Sequence, residues 1–266
     1  MTAGHEPRLV SEDLLALTRS LGRPERDLVI LAEGNTSHLL GDGRLVVKAS
    51  GSRMRDATAE DFVVVDLPPL VELLTSPTAT QDDLTAALDA GEADGRRRRG
   101  SIETLVHVAV QAVAASTPTG TSLSTFVGHT HPTAMIGLLA SVHAESAFDH
   151  AAYSDEAVVI GRPLYVPYAS PGIDLGRLCH AGLQAYADRH ATLPQLVTLG
   201  NHGIVAIAPT TEGVDGISDM AVKAAQVRTA AYAIGGVVPL SSESLDTFFA
   251  RTDITERRGN IAEGRL

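Results

Sequence analysis

Short apolar runs typical of β-strands and longer amphipathic stretches typical of α-helices follow one another along the whole chain. They do so without a regular strand–helix–strand alternation. Many short strands followed by helices in this way predict an α/β fold, a three-layer α/β/α sandwich with a central mixed β-sheet. No internal repeat and no low-complexity linker divides the chain, so residues 1–266 are expected to form a single domain.

The hydrophobic periodicity places the individual elements. Strands are predicted at 28–32, 37–40, 45–48, 62–66, 125–128, 157–160, 164–167, 196–199 and 204–208. Helices are predicted at 10–21, 69–75, 101–116, 132–141, 172–190, 211–235 and 241–251. The stretch 76–100 is the most loop-like part of the chain, with a short helix near 82–89.

Charge and apolar content exclude several classes of protein. The net charge of −11 disfavours nucleic-acid binding, because phosphate contacts require clustered cations. No uncharged apolar run approaches the roughly 20 residues that span a bilayer. The N-terminus lacks the pattern of a signal peptide, and Cys179 is the one cysteine. We therefore expect a soluble, cytoplasmic protein that binds neither membrane nor nucleic acid.

Three histidines form the most informative pattern. In the segment GHTHP, alternation along a strand places His129 and His131 on one face, from which two imidazoles can converge on one metal ion. Such a pair alone is typical of incidental histidines. His202, in the segment GNHG, lies between two glycines and two apolar strands. A third imidazole at the mouth of a sheet would complete a three-histidine site with an open position, which is typical of catalytic metals.

Three further segments have candidate roles. Ser101 is a natural helix N-cap, and Glu103 would then lie in the first helical turn, either as a helix-terminus carboxylate or as a proton-transferring base. His107, on the same helix, is interpreted as a packing residue. The glycine-containing turns EGNTS (33–37) and ASGS (49–52) follow β-like runs and can cradle an anion, although ordinary turn chemistry explains either one.

The chain resembles the class II aldolase/adducin family over about residues 28–236. The resemblance is carried by six motifs that occur in the order of the family: EGNTS, ASGS, SIE, GHTHP, PYASPG and GNHG. The residues of these motifs are most similar to those of the sugar-phosphate aldolase branch, which includes the fuculose- and rhamnulose-phosphate aldolases. In some bacteria this branch is fused to a dehydrogenase, and residues 1–266 are expected to hold no second catalytic domain. The resemblance implies a metal-dependent lyase that cleaves a ketose phosphate or a related sugar acid by a retro-aldol reaction through an enediolate.

The resemblance also implies roles for single residues. His129, His131 and His202 match the ligands of a divalent metal, usually Zn²⁺, and Glu103 matches the carboxylate that handles the substrate proton. The phosphate-binding turns correspond to Asn35, Ser50, Gly51 and Ser101. Where several relatives have two adjacent serines, this chain has Ser101-Ile102, so one hydroxyl donor is missing.

The resemblance further implies a homotetramer with its sites at subunit junctions. A tyrosine of the neighbouring subunit acts in relatives as an acid toward the aldehyde oxygen. Counting back from the PYA segment, Tyr153 falls at that place.

Other functions stay open at this stage. Relatives with the same three histidines include epimerases, dehydratases and decarboxylases, and the ligands alone do not separate these reactions. Three neutral imidazoles also hold Fe²⁺, so an iron-dependent oxygenase is an alternative, and Mn²⁺ or Co²⁺ are alternative ions. An adducin-like head domain without activity is disfavoured, because such domains have typically lost the metal ligands.

Overall fold

The computed structural model of the protein describes residues 2–118, 120, 124–262 and 264–265. Its strands are β1 (Ala3–Gly4), β2 (Asn35–Leu39), β3 (Arg44–Lys48), β4 (Phe62–Asp66), β5 (Asp89–Ala93), β6 (Arg96–Arg99), β7 (Phe126–Thr130), β8 (Leu164–Val166), β9 (Leu196–Leu199) and β10 (Gly203–Ala208). Its helices are α1 (Glu12–Leu21), α2 (Leu67–Thr75), α3 (Gln81–Ala87), α4 (Thr104–Ser116), α5 (Thr133–Leu139), α6 (Ser154–Ile160), α7 (Ile173–His190), α8 (Thr211–Ala233), α9 (Ser242–Phe249) and α10 (Thr252–Ala262).

Eight of these strands form one sheet in the order β1-β4-β3-β2-β7-β10-β9-β8. The pair β8–β9 is parallel, whereas the pairs from β1 to β9 are antiparallel. The sheet is therefore mixed, as predicted. Strands β5 and β6 form a separate hairpin within the stretch that the sequence predicts as mostly loop.

Both faces of the sheet are apolar, because successive side chains of the strands point to opposite sides. Val46 packs in one cluster with Leu14 of α1 and Val214 of α8. Its neighbour Val47 packs in the other cluster, with Leu105 of α4 and Leu183 of α7. Helices α1, α5, α6 and α8 thus cover one face and α2, α3, α4 and α7 the other, which confirms the three-layer sandwich.

Two predicted strands are wrong. The run 28–32 forms a turn: Leu31 has a φ of 51°, and the N–H of Ile30 donates to the carboxylate of Glu33. The run 157–160 is the second half of α6. All four of its side chains are buried, and a short apolar run buried on every side has no periodicity that separates a strand from a helix.

The predicted start of the fourth helix is also wrong. Helix α4 begins at Thr104, after a turn in which the N–H of Thr104 donates to the carbonyl of Ser101. Glu103 occupies the N-cap position, and no side chain caps the helix. The Ser101 hydroxyl donates instead to the Glu103 carboxylate, so the serine is not the N-cap residue.

No helix within the described ranges is both long and apolar enough to cross a membrane.

Candidate metal centre

The three histidines meet where β7 and β10 lie side by side. His129 is in β7, opposite Val205 of β10, and His131 follows two residues later. His202 immediately precedes β10, in the turn that joins it to β9. Gly203 permits this close approach: a Cβ atom there would lie 2.4 Å from the carbonyl oxygen of Thr130 and 2.8 Å from the His131 ring.

The rings form a nearly equilateral triangle. Their centroids are 4.7 Å apart for His129–His131, 5.0 Å for His129–His202 and 4.9 Å for His131–His202. The Nε2 atoms of His129 and His131 are 2.9 Å apart. One ligand atom from each histidine and one carboxylate oxygen of Glu103 all lie within 4.8 Å of one another. The structure thus brings together the predicted metal ligands and the predicted base.

The surroundings of His129 and His131 favour neutral rings, which metal binding requires. His129 is fully buried and its Nδ1 donates to the carbonyl of Ile204, which leaves the lone pair of Nε2 directed at the other rings. Burial lowers the pKa of His129 to about 3, against the smaller opposing effect of the Glu103 charge. Burial and the neighbouring His202 also lower the pKa of His131. Glu33 lies 3.8 Å from Nδ1 of His131, on the far side of that ring.

The Glu103 carboxylate is held from several sides. Its Oε2 accepts hydrogen bonds from Ser101 Oγ at 2.9 Å and from Asn35 Nδ2 at 3.0 Å, while Oε1 lies 3.5 Å from His202 Nε2. Burial raises the pKa of this carboxyl, but the contact with His202 and the Ser101 hydrogen bond lower it by more. The pKa of Glu103 is therefore well below its usual value, and the side chain is a carboxylate at neutral pH.

These donors fit a divalent ion. Nδ1 of His202 is buried and has no hydrogen-bond partner among the described residues. Leaving a buried polar atom unpaired costs free energy, so the contact of Nε2 with Glu103 satisfies only one of the two nitrogens of this ring. Three neutral imidazole nitrogens beside a carboxylate are a donor set that Zn²⁺, Fe²⁺, Mn²⁺ and Co²⁺ all accept.

A network of buried hydrogen bonds behind Glu103 was not predicted from the sequence. His107, interpreted as a packing residue, is fully buried; its Nδ1 lies 2.7 Å from Ser37 Oγ and its Nε2 contacts Oδ1 of Asn35. Asn35 in turn gives one amide hydrogen to Ser101 and the other to Glu103. The signal was the alternation of Asn35 and Ser37 in β2, which puts both side chains on the face toward α4.

Lys48 is the second residue that the sequence analysis missed. It is one of only two lysines, and it precedes the ASGS turn (49–52). Its side chain is fully buried, and its ammonium donates to the carbonyl of Ala49. Burial lowers the pKa of Lys48 to about 8, although the charges of Asp61 and Glu103 oppose this shift. The site therefore has a cation beneath its polar turns.

The remaining predicted residues divide into two groups. Ser50 and Gly51 are exposed and lie in a turn. This turn is held beside Ser101 by two backbone hydrogen bonds: the N–H of Ser50 donates to the carbonyl of Arg99, and the N–H of Ser101 donates to the carbonyl of Lys48. Tyr153 is elsewhere: its hydroxyl contacts Met220 Sδ at 3.1 Å, on α8 and so across the sheet from α4. Within one chain, the contacts of Tyr153 are not with the histidines.

A comparison with models of known protein families assigns the chain to a family. The family described as Class II Aldolase and Adducin N-terminal domain matches residues 12–228. The chain belongs to this family. Its three histidines and Glu103 are thus a candidate metal centre in a family whose aldolases are metal-dependent.

Solved structures of class II aldolase type share the fold. YgbL from Klebsiella pneumoniae, whose description leaves open aldolase, epimerase and decarboxylase activity, is 19% identical, with a TM-score of 0.63 over 93% of this chain and 99% of that one. The L-fuculose-1-phosphate aldolase from Thermus thermophilus is 16% identical, with a TM-score of 0.56 over 84% and 98%. At these identities the likeness establishes the fold alone.

One relative with a similar sequence is named as an oxidoreductase and not as an aldolase. The uncharacterized oxidoreductase YuxG of Bacillus subtilis is 26% identical over 166 residues, which are 62% of this class II aldolase-type chain. The matching part is 21% of that protein, so the chain spans only about a fifth of its length.

Proposed function

We propose that the protein is a divalent-metal-dependent lyase that cleaves a ketose phosphate or a related sugar acid by a retro-aldol reaction through an enediolate. The observation that carries this proposal is the meeting of three imidazoles with the Glu103 carboxylate at one point. The side chains of His131, Glu103 and His202 keep 16%, 12% and 9% of their surface exposed, so a substrate can reach the group.

In this proposal His129, His131 and His202 hold the ion, Zn²⁺ in the first instance, with Fe²⁺, Mn²⁺ and Co²⁺ as alternatives. When bound, the ion supplies a Lewis acid that stabilises negative charge developing on the oxygens of the substrate. The chain itself contributes the neutrality of the ligands, through the burial of His129 and its hydrogen bond to the Ile204 carbonyl.

Glu103 moves the proton on the carbon atom that carries the enediolate. A general base must be deprotonated and held within reach of its proton, and the hydrogen bonds from Ser101 and Asn35 meet both requirements. His107 fixes the amide of Asn35 and so acts as a positioning residue.

The substrate anion is proposed to bind at the turn formed by Ser50 and Gly51, beside the Ser101 hydroxyl. Buried Lys48 supplies positive charge below this turn. Asn35 is assigned to the same anion site, although both of its amide hydrogens are given to Ser101 and Glu103 in this structure. For Asn35 to contact an anion, it must release one of these two hydrogen bonds.

Tyr153 is proposed to exchange the proton of the hydroxyl oxygen that becomes the aldehyde. Because its contacts within the chain are with α8, it can act only on the site of another copy. The proposal therefore includes a homotetramer in which Tyr153 completes a neighbouring site. A cytoplasmic location is also part of the proposal, and the free, buried thiol of Cys179 suits such a reducing compartment.

The test combines metal analysis with product analysis. Glu103→Gln keeps the three imidazoles, so we expect it to retain stoichiometric metal and to lose about 10²–10⁴-fold in kcat. His129→Ala is expected to lose both metal and activity. Ketose 1-phosphates and 3-keto sugar acids are the substrates, and the products are identified by mass spectrometry.

Two carbonyl fragments support the lyase. A product of unchanged mass identifies an epimerase, and loss of carbon dioxide identifies a decarboxylase; either result would overturn the retro-aldol proposal. Full activity of Glu103→Gln with bound metal would remove Glu103 from the mechanism.

A further inference from the structure

A cavity lies at the opposite end of the sheet from the histidines. Its volume is about 350 Å³, and it lies between the ends of α6, α7 and β10 and the C-terminal helices α9 and α10. His202 precedes β10 and Pro209 of the cavity wall follows it. The six residues of that strand separate the two sites by roughly 20 Å.

Two arginines, Arg258 and Arg162, line this cavity. Arg258 of α10 is half-buried and lies over the ring of Phe249, 4.8 Å from its centroid. Neither Arg258 nor Arg162 is within 4 Å of a carboxylate among the described residues, and no lining residue is acidic. Arg162 is exposed to solvent, so Arg258 is the cation for which the missing counter-ion matters.

The position of Arg258 is fixed by its surroundings. Burial lowers the pKa of Arg258, and the opposing effect comes only from Tyr186, not from a carboxylate. The hydroxyl of Tyr186 donates to the carbonyl of Arg162 and so joins α7 to the segment that follows α6. At Gly161 even an added Cβ would lie 3.5 Å from Nη2 of Arg258, so this guanidinium faces the backbone of that segment. A partly desolvated cation without a counter-ion is costly, and an anionic ligand would remove that cost.

The rest of the wall suits a small organic molecule. The wall contains both apolar side chains and polar groups that can donate or accept hydrogen bonds; they include Ile160, Leu193, Ile207, Thr192, Gln195 and Thr255. An inorganic ion would leave the apolar part of the wall without contacts. An oxyanion attached to a small apolar body would use both parts.

We propose that this cavity binds a small organic oxyanion, a carboxylate or a phosphate monoester, through Arg258 and Arg162. The planar guanidinium group matches either oxyanion with two parallel hydrogen bonds, so both ligands share this chemistry. The site is independent of the proposed metal centre, since the two share no residue and lie at opposite ends of β10.

Isothermal titration calorimetry on the full chain tests the proposal, with benzoate, phenyl phosphate and inorganic phosphate as the probes. We expect saturable binding of at least one organic probe, tighter than inorganic phosphate. Arg258→Gln is expected to weaken it at least tenfold. Arg257→Gln is the matched control, because Arg257 is the adjacent residue, is exposed and is paired with Asp155 at 3.0 Å. That variant is expected to bind as the unaltered protein does.

A second variant leaves the arginines intact. Thr255→Trp places an indole ring in the cavity from an exposed position and is expected to abolish binding. The ranking of benzoate against phenyl phosphate identifies the preferred oxyanion. The proposal is overturned if no organic probe binds up to about 10 mM. It is equally overturned if Arg258→Gln or Thr255→Trp binds as the unaltered protein does.

Discussion

Arg228 holds together the segment that carries Tyr153, and its replacement by methionine gives a sharp test of the packing. The side chain is fully buried in α8. Nη1 donates to the Glu156 carboxylate at 2.8 Å, Nη2 donates to the His150 carbonyl at 2.9 Å, and Nε donates to the Ala147 carbonyl. Arg228→Met fills similar volume but leaves Glu156, which is 3% exposed, without a counter-ion.

The expected magnitude follows from that uncompensated charge. Breaking a buried ion pair by removing one partner costs about 3–5 kcal/mol of unfolding free energy. For a chain of this size each kcal/mol lowers Tm by about 2–4 °C, so we expect a loss of roughly 10–15 °C. Thermal unfolding followed by circular dichroism at neutral pH measures it.

Two controls isolate the mechanism. Arg257→Met breaks an exposed ion pair with Asp155 and is expected to cost at most about 1 kcal/mol. The double variant Arg228→Met/Glu156→Met removes both charges and is expected to recover most of the lost Tm. The reasoning is refuted if Arg228→Met melts like Arg257→Met, or if the double variant is less stable than Arg228→Met.

Three further predictions concern the metal centre. Because burial lowers the pKa of His107 from its ordinary value of 6.5 to about 4 in the folded state, the unfolded state binds the extra proton as the pH falls through this range. The unaltered protein should lose about 3 kcal/mol of unfolding free energy as the pH falls through this range. In denaturation experiments at the same pH values, His107→Gln should not show this part of the loss. Equal slopes of unfolding free energy against pH for the two proteins would contradict the assignment. Ser101→Ala removes a hydrogen bond that lowers the pKa of Glu103, so the acidic limb of the kcat/KM profile should move to higher pH; an unchanged limb would exclude this role. Gly203→Ala should lose metal, because its Cβ would collide with the Thr130 carbonyl, whereas Gly41→Ala, with open space around it, should retain metal; equal metal contents would contradict the geometry.

Local sequence patterns predicted most of the central sheet. The strands at 45–48, 62–66, 196–199 and 204–208 are confirmed, because each has a bounded apolar run of strand length. The convergence of His129 and His131 also follows from local geometry, since residues two apart on a strand share a face. Both inferences need only the period of the backbone.

The failures come from contacts between distant residues. The residues around 157–160 contain no local pattern that predicts helix α6. This helix is stabilised in part by the ion pair of Glu156 with Arg228, which is 72 residues away in the chain. His107 was interpreted as packing because its partners, Ser37 and Asn35, are about 70 residues distant in the chain. A side chain that is satisfied by a remote partner is indistinguishable, in one sequence, from one that is merely buried.

The sequence by itself determined the layered α/β fold and the set of candidate ligands, because strand periodicity, turn glycines and residue chemistry are local properties. Tertiary structure decided which of those residues meet. It placed His202 beside His129, put Tyr153 away from the histidines of its own chain, and left Arg258 facing a cavity whose described lining residues include no carboxylate. Distances, burial and the resulting pKa values depend on strand order and packing, and these are set by the whole chain at once.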